Sequence, residues 1–157
     1  MMKSDLLEMP LLSVSPSKMN LPGEIGVLVL RIAVSLMVFH HAFQKLAGPE
    51  GFATNVVGKY FPFLPFPLLW TYLAAYMEIV LPILLVLGVF ARVAALGLFG
   101  TMVFANTFHF MAHGFEGFPT TSKGPAYTFE PSFLCGAIFF YFLMNGPGKL
   151  AILPKLF

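Results

Sequence analysis

The sequence predicts an all-α integral membrane protein, a four-helix bundle with both termini on the same side. Three observations carry this reading. The 157 residues are 58% hydrophobic and only 10% charged, against roughly 25% charged in soluble domains. Mean hydropathy is +0.84, too high for an ordinary soluble globule. Four apolar runs, at about 25–43, 68–90, 93–112 and 126–144, each approach the roughly 20 residues a helix needs to cross the hydrocarbon core. In lipid a helix is the default, because every backbone group must be satisfied within its own segment.

The elements follow in order. Residues 1–23 read as an N-terminal surface tail ahead of a transmembrane domain at 24–157. Their apolar stretch is too short for a secretory signal, and Asp5 and Glu8 are misplaced for one. The first run ends near Phe43. The following link, Gln44–Pro67, contains Phe61-Pro-Phe-Leu-Pro-Phe-Pro67, whose prolines favour an extended path. The second and third runs are separated only by Ala91 and Arg92, a tight antiparallel hairpin. The third run is rich in Gly and Ala, which suits close helix contact. A Gly/Pro/Thr loop, Gly114–Pro125, leads to the fourth run. That run starts at Glu130-Pro131 or a turn earlier and stops at Asn145-Gly-Pro-Gly148. Four crossings place Lys3, Lys18, Arg31, Arg92, Lys149 and Lys155 toward one side and Lys45, Lys59 and Lys123 toward the other. By the positive-inside rule both termini face the cytoplasm or its equivalent.

The chemistry lies in the few polar residues at membrane depth. Glu78 falls midway along the second run, roughly 15 Å from its outer end, where a carboxylate needs protonation, a partner or water. Pro82, four residues on, leaves the carbonyl of residue 78 without its helical donor. Arg31 either pairs with Glu78, fixing which helices meet, or snorkels to the interface. His41 lies about 80° from Arg31 around the first helix and shares its inward face with Ser35 and Lys45; His40 faces lipid or a partner. Asn106, His109 and His113 fall near one face of the third helix, the two histidines at a chelating spacing, but no third ligand stands at a motif spacing, and Glu116 and Glu130 are arbitrary choices, so no metal is assigned. Glu130 either complements the N-terminus of the fourth helix or reaches Lys45 or His41. His41, Gln44, Lys45, His109, His113 and Glu130, clustered at the outer boundary above Glu78, form the best candidate site. Cys135, the single cysteine, excludes dithiol chemistry within one chain and reads as a packing residue. No basic block offers a nucleic-acid footprint.

His41–Gly48 (HAFQKLAG), preceded by Arg31, and Ala74–Arg92 (AAYMEIVLPILLVLGVFAR), with Glu78 and Arg92 in place, resemble the DoxX family. The approach Phe129-Glu130 and the closing Gly146–Gly148 fit it as well. The resemblance implies a small four-helix integral membrane protein, some of whose relatives resemble a membrane subunit of thiosulfate:quinone oxidoreductase. It carries over onto Arg31, His41, Gln44, Lys45, Glu78, Arg92 and Glu130. It does not extend to His40 or to the proline-rich link, and Leu81-Pro82 departs from the family's small glycine-containing patch.

The functional expectation is a membrane subunit, not catalytic by itself, associated with other subunits of a redox or electron-transfer complex and binding quinone near His41, Glu78 or Glu130. The plasma membrane is then its site. The alternative is an accessory subunit of a photosynthetic complex in a thylakoid membrane, holding chlorophyll or carotenoid through His40, His109 or His113. A stand-alone transporter ranks last, since no repeat or pair of broken helices is present.

Overall fold

The computed structural model describes residues 20–115, 118–119 and 126–153. Most of the expected tail and of the 114–125 loop lie outside the described residues, as do Lys3, Lys18, Glu116, Lys123 and Lys155.

Every regular element among the described residues is helical. Helix α1 runs Leu21–Ala47, and α2 is the short Pro49–Phe52. A π-helical turn follows at Ala53–Gly58. Then come α3 (Pro67–Leu87), α4 (Ala91–His113) and α5 (Glu130–Asn145). Five α-helices thus stand where the apolar runs indicate four. Three of them (α1, α3 and α4) are long and apolar enough to cross a membrane; α5, at 16 residues, is shorter.

Helix boundaries follow local chemistry more than hydropathy. Helix α1 starts ahead of its apolar run because Asn20 caps it, its side chain accepting from the Gly23 N–H at 3.5 Å, with Pro22 in the first turn. It stops at Gly48-Pro49, where proline removes the next donor. The link expected to be extended is helical over Pro49–Gly58, because Pro49 fits the first position of a helix and no proline follows until Pro62. Apart from Gly48, only the stretch around 61–66 is non-helical. The hairpin turn is Gly88–Phe90, not Ala91-Arg92. Gly88, at φ +70°, takes the left-handed position that ends α3, and the N–H of Val89 reaches back to the Leu84 carbonyl at 3.0 Å.

The long helices pack in sequence order: α1 on α3, α3 on α4, α4 on α5. Toward the α3–α4 hairpin the interior is filled by Val34, Val38, Leu85, Ala95, Leu98 and Phe139. Small residues let the backbones approach. A Cβ at Gly97 would run into Leu81 and Met77, and one at Gly136 would touch Met102. Ser132 Oγ lies 2.8 Å from Asn106 Oδ1 and ties α5 to α4.

After α5 the chain folds back across the hairpin end. The Lys149 N–H donates to Glu24 Oε2 at 2.5 Å, and the Ile152 N–H donates to the Leu87 carbonyl at 3.0 Å. The first turn of α1 and the last described residues therefore meet. The outside of the molecule is apolar: Leu36, Val29, Leu69 and Phe133 are more than half exposed. Such a surface needs lipid around it, and the chain is an integral membrane protein.

Candidate functional site

The packing that fills the hairpin half of the molecule does not continue to the other end. There, α1, α3, α4 and the start of α5 border a partly open cavity of about 610 Å³, roofed by the link through Phe52, Val57 and Phe61. Its walls are mainly apolar and aromatic. From Leu96 to His109, both in its α4 wall, it extends about 20 Å along the bundle at 1.5 Å per residue. This elongated form suits a long lipophilic molecule.

Glu78 lies in the wall of this cavity, on the buried face of α3 with Thr71, Ala75, Pro82 and Leu85. Its partner is Lys45, whose Nζ lies 2.5 Å from Glu78 Oε2; the two side chains are 12% and 5% exposed. The ammonium also sits 5.3 Å from the ring centre of Phe52, a cation–π contact from the roof. The pair is neutral as a unit and mutually hydrogen-bonded, which is how two charges are tolerated at this depth.

The expected Arg31–Glu78 pair does not form. Arg31 is fully buried beside Gly88 at the hairpin end, where its guanidinium donates to the Leu150 carbonyl. Gly88 is ten residues beyond Glu78, about 15 Å along α3, out of reach of an arginine side chain. Lys45 reaches Glu78 instead because α1 continues to Ala47, which places the lysine in its last turn with a long stem directed back into the bundle. Arg31 thus reaches toward the hairpin end, the direction in which snorkelling would take it, and is covered there by the returning C-terminal segment.

The remaining candidates divide. His41 lines the cavity, and its Nδ1 lies 3.2 Å from Gln44 Oε1. His109 lines it too, whereas His113 is exposed with its ring centre 6.1 Å away. His40 is exposed, its ring 3.9 Å from that of His41. Glu130 is exposed and accepts from the Tyr127 N–H at 3.1 Å, which serves the start of α5 and not Lys45 or His41. Among the described residues no group of three or more His, Cys, Asp or Glu could hold a metal. Ser35 donates to the Pro82 carbonyl at 3.4 Å, so α1 answers the polar backbone around that proline.

A family comparison matches residues 26–114 to DoxX, more than half of the 157-residue chain. The chain belongs to the DoxX family. No curated protein and no solved structure gives a match. The DoxX match takes in α1 to α4, with Arg31, His41, Gln44, Lys45, Glu78 and Arg92, and stops short of Glu130 and Gly146–Gly148.

Sequence reasoning missed Trp70, Phe52 and Phe61 in the cavity wall. Trp70 had a signal. It is the single tryptophan, and steps of four residues back from Glu78 reach Ala74 and then Trp70, all three of which line the cavity. Phe52 and Phe61 had none, because the link reads as extended.

Proposed function

We propose that this protein is a membrane subunit, not catalytic by itself, that binds a quinone in the cavity beside the Lys45–Glu78 pair and works with a redox partner subunit. The observation that carries the reading is this cavity, elongated, apolar and aromatic, with a neutralised ion pair in its wall. That combination suits a flat ring bearing polar oxygens and an isoprenoid tail. The chain carries no redox-cofactor motif, so electrons would come from the partner. In this proposal α5 is the fourth crossing. At 16 residues it is about 24 Å long, and the turns at its two ends complete the span. Both termini then lie on the cytoplasmic or equivalent side, in keeping with the contact between Glu24 and Lys149.

The test is extraction of lipophilic cofactors from protein purified in mild detergent. Quinone should co-purify with the wild type and be lost from Glu78→Gln, in which an unpaired Lys45 ammonium remains in an apolar wall. Chlorophyll bands in the purified protein would replace this reading with the pigment-holding one. Protein free of both would mean that the cavity has no such occupant.

A further inference from the structure

The Lys45–Glu78 pair is closed on one side only. Lys45 Nζ lies 2.5 Å from Glu78 Oε2 and 5.3 Å from the centre of the Phe52 ring, so the ammonium is engaged twice. Glu78 Oε1 meets no donor among the described residues. It still keeps accessible surface, whereas Trp70 Nε1 and His109 Nδ1, also unpartnered, are sealed off and offer a ligand nothing. The Glu78 side chain is only 5% exposed and lies in the cavity wall, so that surface opens into the cavity. Among the described lining residues Glu78 is the only carboxylate. A buried acceptor without a donor is unfavourable, more so when it is charged. The cavity thus presents one vacant, charged acceptor.

Room for a ring lies beside it. Trp70, Ala74 and Glu78 follow one another down α3 in steps of about 6 Å, and all three line the cavity. Ala105 on α4 lines it too. Helix α3 ends at Leu87 and α4 begins at Ala91. At 1.5 Å per residue, Ala74 and Ala105 both stand about 20 Å from that turn. Two alanines at one level take up little of the space between the Trp70 indole on the loop side and the carboxylate on the other.

A vacant acceptor selects a ligand that carries a donor. The ring oxygens of a quinone only accept. The quinol, which differs by two electrons and two protons, carries two hydroxyls. Resting on the quinone reading above, we infer that the ring lies over Ala74 and that Glu78 Oε1 accepts from a ring hydroxyl of the reduced form, so that the site holds the quinol more tightly than the quinone. The quinone is held by the apolar and aromatic walls. The quinol gains an O–H···O⁻ hydrogen bond as well, roughly twice as strong as a neutral one. Lys45 is a positioning residue here: by holding Oε2 it leaves Oε1 turned to the ring.

The experiment uses the full-length protein in nanodiscs with decylubiquinone and decylubiquinol. Saturable quenching of Trp70 by the quinone reports binding. A redox titration of the bound couple reports the preference, because tighter binding of the reduced form raises the midpoint potential. A preference of about tenfold or more, as expected for one charge-assisted hydrogen bond, should raise it by about 30 mV or more over the same couple in empty nanodiscs. Lys45→Met/Glu78→Met, which removes the acceptor without stranding a charge, should still bind the quinone and show no rise. A second arm needs no substitution. The dimethyl ether of decylubiquinol keeps the ring and tail but has no hydroxyl, and it should displace the quinone from the wild type about tenfold more weakly than the quinol does. Saturable quinone binding with an unmoved midpoint potential, an equal rise in the double variant, or an ether that competes as well as the quinol would each overturn the inference and leave quinone binding standing. Absence of saturable binding of either form in the wild type would remove the quinone reading itself, and the inference with it.

Discussion

Glu78→Gln should destabilise the protein by about 3–5 kcal/mol, the expected effect of removing one partner from a buried ion pair. The lysine left behind, 12% exposed and covered by Phe52, has lost its counter-ion. Lys45→Met should be damaging as well, though less so, because Glu78 can take up a proton. The most telling comparison is with the double variant, Lys45→Met with Glu78→Met. Replacing a buried pair by apolar side chains of similar volume is often neutral or stabilising, so the double variant should unfold near or above the wild-type temperature in the same detergent. Additive losses in the two single variants would mean that the residues do not act as a pair.

Gly88→Ala should cost about 3 kcal/mol. The residue is at φ +70°, where a Cβ costs about 1–2 kcal/mol. That Cβ would also run into Ala151 and the Arg31 guanidinium, and overpacking of this kind costs about 1–3 kcal/mol. Gly26→Ala is the control: it lies within α1 with nothing within 4 Å of a new Cβ, so it should stabilise the helix by about 0.5–1 kcal/mol. Thermal unfolding of both variants in detergent checks the pair of signs. A cost at Gly88 no larger than about 1–2 kcal/mol, that of the left-handed backbone alone, would show that the C-terminal segment does not close over the hairpin end.

The membrane character and the long helices are legible because hydropathy is a property of runs, and runs survive in one dimension. Glu78 is legible for the same reason, as a charge inside such a run. Its partner is not. Depth counted along separate helices cannot show that Arg31 lies level with Gly88 and under the returning C-terminal segment, or that Lys45 bends back from the last turn of α1. The link at 49–58 reads as extended because the prolines that follow it outweigh Pro49, which begins a helix instead of ending one. The cavity is invisible in the sequence because its wall is assembled from α1, the link, α3, α4 and the start of α5 together. No residue pattern marks space that side chains leave unfilled.

The single tryptophan gives the most direct test of an occupied cavity. Quinones quench indole fluorescence on contact, and Trp70 lies in the cavity wall. Titrating decylubiquinone into the nanodisc-embedded protein should give quenching that saturates at stoichiometric ligand. The double variant Lys45→Met/Glu78→Met should retain that saturation, while Gly100→Leu, at a lining position with open space around a new Cβ, should abolish it. Quenching that rises linearly without saturation, and equally in the Gly100→Leu variant, would mean that quinone meets Trp70 only by collision from the lipid and that the cavity does not bind it.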